Sequence, residues 1–119
     1  MTFQQAIQSG FQNYVNFKDR SCRSEYWWWF LFAIIVSVVA AIIDAIIGIQ
    51  LIQFIVGLAL FLPGLAVGVR RLHDIGKSGW FILIGLIPIL GLIILIYFFV
   101  QPTQPVPNEW GTGPLPPPA

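Results

Sequence analysis

The residues best able to do chemistry sit in one short stretch, Arg70-Arg71-Leu72-His73-Asp74-Ile75-Gly76-Lys77-Ser78-Gly79-Trp80. Arg70 and Asp74 are four positions apart and would pair if a helix continued through them. Arg71 and Lys77, with Arg20 and Arg23 nearer the N-terminus, suit a phosphate such as a lipid headgroup, because a guanidinium meets phosphate with two parallel hydrogen bonds. The same charges would equally serve to fix membrane topology and anchor helix ends. His73 is the only histidine. It has the chemistry of a proton shuttle or general base, but a structural hydrogen bond is the expectation. No second histidine or nearby cysteine completes a metal set with it, so no metal and no cofactor is expected. Cys22 is the only cysteine, which excludes an intrachain disulfide. Its neighbouring arginines favour thiolate, but it lacks a catalytic partner. Gly76-Lys77-Ser78 resembles the end of a phosphate-binding loop. That loop requires glycine five residues before the Gly-Lys pair, and position 71 is arginine. Asp44 is the only ionisable residue well inside an apolar run. It reads either as a functional intramembrane carboxylate or as a helix-end residue near a turn.

These groups must be positioned by a very apolar chain. Of its 119 residues, 57% are hydrophobic and 9% charged, against about 25% charged in a soluble domain. The length suits one domain, and the net charge of +1 suggests no nucleic-acid partner. Residues 1–25 form an amphipathic helix and a basic juxtamembrane segment. Phe3, Ala6, Ile7, Phe11 and Tyr14 fall at helical spacing opposite glutamines, and Thr2 and Gln5 have the spacing of a capping box. Such a helix is expected to lie in the membrane interface. No cleavable signal is read, since a basic start is missing and the first apolar residues are scattered. Residues 26–100 form a transmembrane domain of three spans, over about 26–47, 51–69 and 80–100, because runs of roughly 20 apolar residues match the hydrocarbon thickness. Tyr26, Trp27, Trp28 and Trp29 mark the lipid boundary. Gly48, Ile49 and Gln50 make a tight turn, and Arg70 to Gly79 a polar loop. Pro63 frees a backbone carbonyl within the second span. Residues 101–119 are a proline-rich tail that cannot be helical, with an end expected to be disordered. The expected fold is therefore all-α and integral to the membrane.

Every basic residue precedes the first span or lies between the second and third. The positive-inside rule then puts the N-terminus and the 70–79 loop in the cytoplasm and the tail in the periplasm. A re-entrant hairpin at Pro88 and Gly91 would instead return the tail to the cytoplasm, but roughly 21 residues are too few for two full crossings, so a full span is expected. Ala33, Ser37, Ala41 and Ala45 repeat every four residues on the first span, as do Gly64 and Gly68 on the second. Small residues at this spacing let helices approach closely, within one chain or between copies.

Three motifs carry a resemblance that covers about Tyr14 to Pro114. They are Asn13-Tyr14-Val15-Asn16-Phe17-Lys18-Asp19-Arg20 continuing through Ser21-Cys22-Arg23-Ser24-Glu25-Tyr26-Trp27, then Arg70 to Trp80, then Pro107-Asn108-Glu109-Trp110-Gly111 ending at Pro114. The chain resembles the bacterial inner-membrane family known as domain of unknown function 805, the YhaH-like proteins. Asp19 departs from the pattern, where the family often has glycine, which bears on a turn there. The resemblance implies a multi-pass protein of the bacterial inner membrane and supplies no activity, cofactor or catalytic residue.

The leading expectation is a non-enzymatic module whose partners are membrane lipids, further copies of itself or a membrane protein. Arg20, Arg23, Arg70, Arg71 and Lys77 would form a cytoplasmic-face patch ordered by His73 and Asp74. Binding to lipid phosphate would then weaken with salt and on Arg71→Ala. A small oligomeric channel or transporter lined by Asp44 is the alternative, and needs several copies. A membrane-interface enzyme using His73 and Asp74 is the least supported.

Overall fold

The computed structural model describes residues 1–117, and these are helical with an irregular C-terminal tail. Helix α1 spans Phe3–Gln12, α2 Arg23–Ile47, α3 Leu51–Asp74 and α4 Leu90–Phe99, with a 3-10 helix at Gly79–Leu86 between α3 and α4. Among the described residues the only strand-like pairing is an isolated bridge between Asn108 and Gly111. Pro118 and Ala119, the end of the expected tail, lie outside the described residues.

Helix α1 starts as its sequence requires. The Thr2 side chain accepts from the Gln5 amide while the Gln5 side chain accepts from the Thr2 amide, so two otherwise orphaned donors are satisfied. The face expected to rest in the membrane interface is turned partly onto protein. Ala6, Ser9 and Gly10 are buried, and a Cβ on Gly10 would lie 2.3 Å from the Trp29 ring. Phe3 packs edge-on against Trp28, and Phe11 against Trp29 and Phe32.

Helices α2 and α3 are both long and apolar enough to cross a bilayer, and most of their apolar side chains face outward. The join between them follows the expected turn. Gly48 takes φ 86°, which a glycine adopts readily. Helix α3 then runs further than expected, through residues 70–74 of the expected polar loop. Its last turn is mostly polar but buried, with Leu72 packed in the apolar core and the charged side chains paired around it.

Pro63 lies inside α3 and cannot donate to the carbonyl of Ala59. The Tyr14 hydroxyl donates to that carbonyl instead. The freed carbonyl thus has a partner reaching across from the segment after α1, as an apolar environment demands.

Residues 80–100, expected as a third span, do not form one continuous helix. Residues 79–86 coil as a 3-10 helix, the chain turns at Ile87-Pro88-Ile89, and α4 runs back. Ile89, with φ 63° and ψ −63°, is the centre of a γ-turn closed by a bond from the Leu90 amide to the Pro88 carbonyl at 2.6 Å. At roughly 2 Å per 3-10 residue and 1.5 Å per α residue, each arm is about 15 Å long, half the hydrocarbon thickness. Both arms therefore begin and end at the same level. The tail that follows packs on the basic segments rather than a membrane thickness away from them. A turn at Pro88 thus halves the reach of an apolar run that composition reads as continuous.

Gly91 makes the hairpin possible. A Cβ there would sit 1.8 Å from the Ile84 carbonyl oxygen. Gly91→Ala is expected to destabilise the protein by about 1–3 kcal/mol or more, the usual effect of overpacking. Gly57, whose Cβ would meet nothing within 4 Å, is the control, and Gly57→Ala should leave stability equal or slightly raised. Unfolding titrations in mixed micelles compare the two. Equal behaviour would mean the hairpin does not depend on this contact.

Candidate functional site

The end of α3 is a hub of buried charge. The side chains of Arg20, Arg70, Arg71, Glu25 and Asp74 are all 0% exposed. Arg70 and Asp74 do not pair with each other. Arg70 Nη2 donates to Glu25 Oε1 at 3.0 Å, and Asp74 receives Arg20 Nε at 3.1 Å and Arg71 Nη1 at 2.9 Å.

Most remaining donors meet backbone carbonyls. Arg20 reaches Gln104, Val106, Gly111 and the Asp74 carbonyl, so all five of its N–H groups are engaged. Arg70 reaches the carbonyls of Asn13 and Asn16 and the Ser21 hydroxyl. Arg71 reaches those of Phe99 and Gln101. Each guanidinium therefore ties a loop or the tail to α3. The expected phosphate-binding patch is accordingly reduced. Arg20, Arg70 and Arg71 face inward, and Arg71→Ala would test folding before it tested binding. Arg23 is exposed and donates to the Val100 carbonyl at 3.0 Å. Lys77 is half-buried, with its ammonium 5.7 Å from the centre of the Phe98 ring.

Asp44 is buried and caps α3. Its carboxylate oxygens accept from the Ile52 amide at 3.1 Å and the Gln53 amide at 2.9 Å. A carboxylate is favourable there because the first amides of a helix are unpaired and carry partial positive charge. This supports the helix-end reading over the pathway reading. On α2 the buried positions are Glu25 and Trp29, in register with the expected stripe, and Ala40 and Asp44, one residue before Ala41 and Ala45. Ala33, Ser37 and Ala41 are half-buried and Ala45 exposed. Gly64 and Gly68 do admit close approach, Gly64 near Trp29 and Gly68 against Ile82, Phe99 and Tyr26.

His73 lies with Nδ1 3.0 Å from the Asp19 carbonyl and its ring stacked on Trp110, centroids 4.4 Å apart. Asp19 does not take a positive φ, so the turn there does not require the glycine that the family often carries. The Asn108 side chain donates to the His73 carbonyl at 2.9 Å, so the third motif folds directly onto the second. Beside His73 a cleft of about 710 Å³ opens between α3, the 3-10 helix and the tail. Its floor is Leu65, Val69, Ile82 and Leu83, and its rim carries Lys18, His73, Ser78 and Glu109. Among the described residues, no three His, Cys, Asp or Glu side chains gather as a metal site.

Sequence reasoning missed Ser9, whose hydroxyl donates to Glu25 Oε1 at 2.9 Å, and the roles of Tyr14, Glu25, Glu109 and Trp110. Only Tyr14 had a usable signal, in the orphan carbonyl that Pro63 must create.

A family model described as "Protein of unknown function (DUF805)" matches residues 14–112. Inner membrane protein YhaH of Escherichia coli (strain K12) is 39% identical over 109 residues, covering 87% of this chain and 90% of that protein. Inner membrane protein YhaI of the same strain is 37% identical over 105 residues, covering 87% and 89%. No solved structure matches. The resemblance carried by the three motifs is borne out, and with it an inner-membrane location.

Proposed function

Because this chain belongs to the DUF805 family of inner-membrane proteins, we propose that it is a non-enzymatic membrane module that binds a phospholipid in the cleft beside His73. The observation that carries this reading is the cleft's polarity. Its apolar floor adjoins the outward-facing Trp80, and its rim bears charge. An amphiphile has the same division, and such a site needs only a few polar groups to fix orientation. The charge hub supports the binding reading by making the scaffold rigid. The enzyme reading is weakened because Asp74 is engaged by two arginines, and the pathway reading because Asp44 caps a helix.

Native mass spectrometry after detergent exchange tests the proposal. The wild type should retain one lipid per chain, and Leu83→Trp, which fills the cleft from a half-exposed position, should lose it while melting normally. A wild type without retained lipid, or equal retention by the variant, would refute the cleft as the site.

The topology follows the same logic. The protein has two spans and a re-entrant hairpin, with the basic segments cytoplasmic by the positive-inside rule. The grip of Arg20 on Gln104, Val106 and Gly111 supports a cytoplasmic tail. A cysteine placed at Thr112, with Cys22 changed to serine, should resist a membrane-impermeant maleimide in intact cells and react after permeabilisation. Labelling in intact cells would restore a third full crossing.

A further inference from the structure

We propose that the cleft selects a zwitterionic phospholipid with a primary ammonium headgroup, Lys18 meeting its phosphate and Glu109 with His73 Nε2 meeting its ammonium. This rests on the lipid reading above and names the headgroup. Among the described residues the ion pairs are Arg20–Asp74, Arg70–Glu25 and Arg71–Asp74. Lys18 and Glu109 both line the cleft, both are exposed, and neither belongs to these pairs. A rim with one free charge of each sign complements a headgroup with one charge of each sign. A purely anionic headgroup would gain Lys18 but meet the Glu109 carboxylate, and like charges repel.

The histidine narrows the choice of cation. The Asp19 carbonyl is an acceptor only, so the hydrogen of the neutral imidazole sits on Nδ1, 3.0 Å away. Nε2 is then a lone-pair acceptor. It sits on the Gly79 side of the ring, 3.4 Å from where a Cβ on Gly79 would be, while the bond to the Asp19 carbonyl uses Nδ1. Gly79 and His73 both line the cleft, and stacking on Trp110 fixes the ring plane next to Glu109. A neutral acceptor beside a carboxylate suits a cation with N–H groups to donate. A primary ammonium has three, whereas a trimethylammonium has none and would leave Nε2 unpaired.

The test uses the full chain in detergent micelles, titrated with short-chain phosphatidylethanolamine, phosphatidylglycerol and phosphatidylcholine and read by native mass spectrometry. Phosphatidylethanolamine should bind about tenfold more tightly than either of the others, the scale of one charge-assisted hydrogen bond. Glu109→Gln should remove most of that preference over phosphatidylglycerol, and Lys18→Gln should weaken all three lipids. Both side chains are exposed, so the variants should fold, as far-ultraviolet circular dichroism will show. Phosphatidylglycerol binding as tightly as phosphatidylethanolamine, or Glu109→Gln keeping the wild-type selectivity, overturns the headgroup assignment while leaving the cleft as a lipid site. No saturable binding of any of the three overturns the cleft reading and this assignment with it.

Discussion

Replacing Arg70 with alanine is expected to destabilise the protein by about 3–5 kcal/mol, the usual penalty for stranding one partner of a buried ion pair. Glu25 would be left with a buried negative charge, and its Oε2 already has no partner among the described residues. The carbonyls of Asn13 and Asn16 and the Ser21 hydroxyl would lose their donor at the same time. Arg70→Lys should rescue little, because an ammonium has three donors at one point where the site engages a planar fork. The charge itself can be separated from the loop contacts. Adding Glu25→Gln to Arg70→Ala should recover about 1–3 kcal/mol by removing the unpaired carboxylate. Reversible unfolding titrations in mixed micelles measure all three variants. An Arg70→Ala protein as stable as wild type would mean that the pair does not hold residues 13–25 to α3.

Asp74→Ala is expected to have an effect of similar size, about 3–5 kcal/mol, but with a different structural signature. Asp74 is the shared anion of Arg20 and Arg71, and its carboxylate also accepts from the Thr103 hydroxyl at 2.8 Å. Without it two buried guanidiniums face each other uncompensated. Arg20 is what grips the tail at Gln104, Val106 and Gly111, and Arg71 is what holds the end of α4 at Phe99 and Gln101. Loosening both should release the tail before the helices separate. Limited proteolysis should therefore cut within residues 101–112 of Asp74→Ala under conditions that leave the wild type intact, with the fragments identified by mass. Asp74→Asn should be intermediate, since its single amide oxygen accepts from one arginine and its NH₂ cannot accept from the other. A tail equally resistant in wild type and Asp74→Ala would sink the idea that this carboxylate organises it.

The two predictions differ because the hub has two halves. Arg70 with Glu25 fastens the N-terminal segment to α3, and Asp74 with Arg20 and Arg71 fastens the tail and the hairpin. One polar turn of helix thus gathers segments that are remote in sequence, Ser21 bonding the Arg70 carbonyl and Gln104 the Asp74 carbonyl. A rigid polar cap on a greasy helix pair is what a rim for headgroup recognition requires.

Local patterns in the sequence were enough to determine the helical class, the apolar lengths of α2 and α3, the capping box of Thr2 and Gln5, the glycine turn at Gly48 and the family. Each depends on spacing along the chain or on the solvent a side chain prefers, and both are local. Only the tertiary structure decided that Arg20, Arg70 and Arg71 face inward, since the carbonyls and carboxylates that compensate them come from segments up to 91 positions away. It also decided that residues 79–99 fold as two short arms around a turn and not as one continuous helix. Hydropathy measures how well a residue tolerates lipid, which is the same for a straight span and a hairpin. The direction of the backbone at Ile89 and the contact that Gly91 permits decide between them.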